Sequence, residues 1–148
     1  MAVSALIYGL QMKSTHAKLA NWESDTVKTS LHTSTYTPNQ DTHQFQSSLT
    51  NELAATGNYA TGGATISPLT GTYTAGTNTY SVAGTNASWT NLTMSAASRY
   101  AVVYDSTPGT SGTNPLAIYV DFGADQTVSG ATFTIQWAAG GILAFSVS

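Results

Sequence analysis

From Leu116 to Phe122 the chain alternates, with Leu116, Ile118, Val120 and Phe122 set against Ala117, Tyr119 and Asp121. A two-residue period belongs to a β-strand, because successive side chains leave a pleated backbone on opposite faces. The pattern returns at Phe133, Ile135 and Trp137, which alternate with Thr132, Thr134 and Gln136. Trp137 is accordingly expected in the core. Ala138-Ala139-Gly140-Gly141 makes a tight link into a closing strand over Ile142–Val147. Each such strand has an apolar face that must be buried against another layer.

Earlier segments supply that layer. Arg99–Asp105 reads as apolar on both faces, as a central strand would be. Ser88–Met94 reads as a strand carrying Trp89. Thr72–Thr74 and Thr79–Val82 read as a hairpin around Ala75-Gly76-Thr77-Asn78. The same tetrapeptide recurs at Ala83–Asn86 as reused turn chemistry. Ser106–Asn114, with Pro108, Gly109 and Gly112, is a loop. Short strands at even spacing predict a mainly β, single-domain β-sandwich of jelly-roll-like form over residues 1–148.

Two helices are expected beside the strands. Val3, Leu6, Ile7, Leu10 and Ala17 recur at helical spacing, which predicts an amphipathic helix over Ala2–Ala20, within residues 1–22. Gly9 weakens it by about 1 kcal/mol relative to alanine. A secretory leader would show basic residues before the apolar ones and a cleavage site after them, and neither is seen. Trp22, Glu23 and Asp25 close this helix before the mainly β part, residues 26–148, begins.

Thr26–Ser67 is the organising stretch. Val27, Thr29, Leu31 and Thr33 alternate with Lys28, Ser30 and His32, predicting a half-buried strand. Thr37-Pro38-Asn39-Gln40 breaks it, since proline donates no ladder hydrogen bond. Asp41 stands three residues before Gln44, the spacing of a capping box, and Phe45, Leu49 and Leu53 follow on one face of a short second helix. Gly57-Asn58 and Gly62-Gly63 bracket Tyr59 and permit backbone angles other residues resist.

Composition narrows the function classes. The chain has no cysteine, which removes disulfides, thiol nucleophiles and thiolate metal sites. Only 7% of residues are charged, against about 25% in an ordinary globular protein. A net charge of −3 gives no long-range pull on nucleic acid or anionic membranes. No apolar run approaches the roughly 20 residues of a membrane span.

Residues that carry chemistry are sparse. His16, His32 and His43 lack the spacing of a metal site on a helix or hairpin. Asp41 is expected as a helix cap and His43 as a solvated first-turn residue. Asp121 and Asp125 flank Gly123, but a calcium loop needs more oxygen ligands at set spacing, so a turn is expected. There is no Gly-x-Ser-x-Gly elbow and no phosphate-binding glycine loop. Asn86-Ala87-Ser88 and Asn91-Leu92-Thr93 match the glycosylation sequon, as chance allows in a chain so rich in serine and threonine. Tyr36, Tyr59, Tyr73, Tyr80 and Trp89 suit either a sugar platform or sheet packing, with packing the stronger expectation. No catalytic, cofactor-binding or metal-binding residue is expected, and no enzyme.

The run through "YTPNQDTHQFQSSLTNEL" to "GNYATGGATIS" resembles a family of small virion proteins of tailed bacteriophages. "SRYAVVYDSTPGTSGTNPLAIYVDFG" and "ATFTIQWAAGGILAFSV" fit the same family. The resemblance implies a structural protein assembled into the particle in the host cytoplasm. A capsid decoration (cement) protein bound to the major capsid protein is the first expectation. A tail, neck or tail-tip component bound to tail proteins, with a glycan as possible ligand, is the alternative. Capsid symmetry makes a homotrimer the expected oligomer.

Overall fold

The computed structural model describes residues 2–147; Met1 and Ser148, the ends of the expected domain span, lie outside the described residues. The chain runs β1 (Ser4–Ile7), α1 (Leu10–His16), β2 (Val27–His32), a 3-10 turn (Gln46–Ser48), β3 (Ala64–Thr65), β4 (Thr70–Thr74) and β5 (Thr79–Ala83). It continues through β6 (Ala87–Leu92), β7 (Ser98–Asp105), β8 (Leu116–Gln126), β9 (Ala131–Ile135) and β10 (Leu143–Ser146). Every pairing between these strands is antiparallel.

A five-stranded sheet in the order β1-β8-β7-β2-β3 forms one layer. A three-stranded sheet, β10-β5-β4, and a two-stranded sheet, β6-β9, make up the other. One core joins them: Val27, Leu31, Ala101, Val103, Ile118 and Val120 meet Val82, Trp89, Leu92, Ile135 and Leu143. The register sorts these residues to one face, with Thr29 opposite Val103 and Leu31 opposite Ala101. The fold is thus the expected mainly β sandwich. Partners distant in sequence, such as β1 with β8, are what long Greek-key connections produce.

The outer face of the large sheet is buried as well. Val102, Tyr104 and Leu116 pack there with Tyr8, Tyr36 and, at the edge, Leu49. The segment between β2 and β3 supplies that cover. It is pinned by Gln46 N–H to Asn114 O and Leu116 N–H to Gln44 O, both at 2.9 Å. For this reason β2 is buried on both faces, apart from half-buried Lys28, where its alternation predicted a half-buried strand.

Three local expectations need correction. The N-terminal helix is confined to Leu10–His16, because Ser4–Ile7 pairs with the edge of β8 instead. Val3, Ala5 and Ile7 also fit a two-residue period, and β8 would otherwise show a long unpaired edge. The short second helix is only the 3-10 turn, and its cap is not Asp41: Asn39 Oδ1 accepts the Asp41 and Thr42 amides at 3.0 and 3.1 Å. Trp137 lies beyond β9 and is half-buried, its Nε1 donating to Thr85 O at 2.9 Å. It packs on the core rather than in it.

Candidate functional site

The register of the three-stranded sheet places Gly71, Tyr73, Tyr80, Val82, Leu143 and Phe145 on one face. Val82 and Leu143 belong to the core, whereas Tyr80 and Phe145, two residues along, overhang it. Opposite this overhang run α1 and the Ala20–Glu23 turn. Between them lies a cleft of about 730 Å³, walled by Met12, Trp22, Tyr80, Val82, Leu143 and Phe145.

Local sequence explains how the walls are held. α1 ends with Lys18 at φ 58°, and the amides of Lys18 and Leu19 return to Thr15 O and Ser14 O. This is the reversal that ends many helices, here made by lysine instead of glycine. It turns the chain so that Trp22 Nε1 donates to Thr15 Oγ1 at 2.9 Å. Gln11 Nε2 donates to the same oxygen at 3.1 Å, and that hydroxyl donates to Gln11 O at 3.2 Å. Gln11 is only 2% exposed, and its Oε1 is buried without a hydrogen-bond partner among the described residues.

The polar lip is a pair. Tyr80 OH donates to Glu23 Oε1 at 2.6 Å, and that bond, before burial, raises the phenol pKa. A Cβ on Gly71 would collide with the Glu23 carboxylate and the Tyr80 hydroxyl, so only glycine allows this close approach. Lys18, His16 and Asn21 complete the rim. Apolar walls with a few polar groups suit an apolar side chain on an uncharged surface, or a ligand with one apolar face.

The residues singled out by sequence are scattered. His16 borders the cleft. His32 is buried: its Nδ1 donates to Thr50 O and its Nε2 accepts from Ser30 Oγ, both at 2.8 Å. Burial pushes its pKa below the usual histidine value. His43 is not a solvated helix residue but half-buried, with Nδ1 3.0 Å from Tyr36 OH, which meets Tyr8 OH at 2.7 Å. Burial raises both phenols, Tyr36 to about 12. Asp41 is exposed. The turn expected around Gly123 does not form, because β8 runs on through Gln126. Asp121 accepts the Gly123 amide at 2.8 Å within an irregularity of that strand, where Gly123 has φ 76° and the register against β7 shifts. It also pairs with Arg99, whose guanidinium holds its pKa down. Asp125 is exposed. Among the described residues, no three histidine, aspartate or glutamate side chains converge to hold a metal ion.

The five candidate platform aromatics divide. Tyr36, Tyr59 and Trp89 are core residues. Tyr73 and Tyr80 stand opposite each other on the hairpin, 58% and 37% exposed, and Tyr80 lines the cleft. A second groove of about 440 Å³ opens where Val3 and Ala5 approach Phe133 and Trp137, over Ile118 and Val120. No protein-family model, curated protein or solved structure matches the chain. No helix among the described residues is long and apolar enough to cross a membrane.

Proposed function

We propose that the chain is a structural virion protein of a tailed bacteriophage, a decoration protein that trimerises on the outer head lattice. One observation carries the docking face. Of the exposed large apolar side chains, Met12 and Tyr80 line the cleft between α1 and the hairpin, and Tyr73 stands opposite Tyr80 on the same face of the sheet. Apolar clusters on an otherwise polar surface mark interaction sites, and tyrosine and methionine are favoured at their centres. With few charges to match, the occupant is an uncharged loop of the major capsid protein presenting one apolar side chain to the cleft. Three copies on a local three-fold axis multiply a modest single-site affinity.

Sedimentation with empty heads tests this reading. The protein should pellet with heads, and Tyr80→Ser should weaken binding at least tenfold without lowering stability appreciably. Failure to bind heads, with copurification in tails, moves the protein to the tail. A specific feature favours that second reading: exposed Tyr73 and Tyr80, opposite each other on the hairpin, offer rings on which a saccharide stacks.

A further inference from the structure

Asp105 ends β7 fully buried, its Oδ1 accepting the Thr107 amide at 2.8 Å. Its Oδ2 is buried as well and has no hydrogen-bond partner among the described residues. The group it faces is the Asp25 carboxyl, within hydrogen-bonding reach once one of the two carries a proton. Asp25 is itself held in place: Oδ2 accepts the Asn21 amide at 2.6 Å and Oδ1 the Ser24 hydroxyl at 3.3 Å.

The pair sits where distant parts of the chain cross. Thr26 N–H donates to Thr107 Oγ1 at 2.7 Å, and the Ser106 amide and hydroxyl both reach Thr26 O at 2.8 Å. No lysine, arginine or histidine among the described residues bonds to either carboxyl. The one ion pair seen there, Arg99 with Asp121, is at the opposite end of β7. The groups facing Asp105 are therefore Asp25 from the turn before β2 and Thr107 from the loop after β7.

Two bare carboxylates in contact, one of them out of water, repel each other and leave a buried acceptor unmet. A single proton relieves both costs, since it removes one charge and gives Oδ2 its bond. From this geometry we infer that Asp25 and Asp105 form a proton-sharing clasp that fastens the Asn21–Asp25 turn to the end of β7. Trp22 and Glu23, the wall and lip of the cleft, ride on that turn. Loss of the proton loosens their mooring.

Burial, then Asp25, raises the Asp105 pKa from 3.8 to about 6, against the pull of the Thr107 amide. A folded-state pKa above the unfolded one stabilises fully below the unfolded value and is lost as pH rises through the folded one. The clasp is thus closed near pH 4 and open above about 6.

Asp105→Asn tests it, because the amide donates to Asp25 at every pH. Urea unfolding of both proteins from pH 4.5 to pH 8 is the measurement. At pH 8 the variant should have the smaller unfolding constant, by up to about a hundredfold, with the gap closing on acidification. If that variant does not fold, Asp25→Asn carries the same test with the donor on the other side. A gap independent of pH, or variants less stable throughout, overturns the clasp. Calcium chloride that stabilises the wild type at pH 8 but not Asp105→Asn also overturns it, in favour of a bridging cation.

Discussion

Removing one buried hydroxyl, with Tyr59→Phe, tests how β2 is completed beyond the reach of its short neighbour. β3 pairs with Lys28 and Thr29, and past it Leu31 O accepts Leu53 N–H at 2.9 Å, but Leu31 N–H has no strand partner on that side among the described residues. The Tyr59 hydroxyl takes its place, accepting Leu31 N–H at 3.0 Å and donating to Glu52 Oε1 at 2.8 Å. Phenylalanine keeps the ring against Trp89, 5.9 Å between centroids, and so isolates the hydroxyl. An orphaned buried amide costs about 1–3 kcal/mol. The lost bond to Glu52 adds about 1 kcal/mol, limited because Glu52 is half-exposed and still accepts Gly62 N–H. The sum is about 2–4 kcal/mol, or roughly 5–15 °C in melting temperature for a domain of this size. Urea unfolding gives the loss, and amide exchange at Leu31 locates it. A loss below about 0.5 kcal/mol with Leu31 still protected would refute the role assigned to the hydroxyl. Tyr73→Phe, whose hydroxyl meets only exposed Asn78, is the control and should change little.

Other expectations concern single sites. Trp22→Ala empties a buried site and breaks the bond to Thr15, so urea unfolding should show a loss of about 3–5 kcal/mol; half-buried Trp137→Ala should lose clearly less. Lys18→Gly should raise stability by about 1 kcal/mol in the same assay, because lysine is strained at φ 58° and glycine is not. His32, with its pKa lowered by burial, should remain neutral in NMR titrations below pH 6.5. Its protonation then favours the unfolded chain, so this contribution to stability is whole above pH 6.5 and falls as pH drops below it.

What was legible followed the reach of each interaction. β7, β8 and the β4–β5 hairpin were readable because alternation and turn residues are local. β1 was not, because Val3–Leu10 satisfies both the helical and the two-residue period. Only the free edge of β8, more than a hundred residues away, decides between them. At Phe45, Leu49 and Leu53 a helical spacing was overridden by backbone bonds to the Asn114–Leu116 segment. The cleft was hidden for a similar reason. Trp22 and Glu23 read as the end of a helix, and nothing local said that Tyr80 would meet them. Asp25 and Asp105 carry no shared motif at all; the sheet order alone brings them together.

The sheet order also fixes when the protein can first exist during synthesis. Each of the three sheets takes a strand from the last third of the chain: β8 in the first, β10 in the second and β9 in the third. While the first hundred residues leave the ribosome, β1, β5 and β6 have side chains ready for burial but lack their later partners. Folding must therefore wait until the last strands emerge, and a chain halted at the Ser106–Asn114 loop has no finished sheet. Prematurely ended copies should go to proteolysis, which is a form of quality control written into strand order alone.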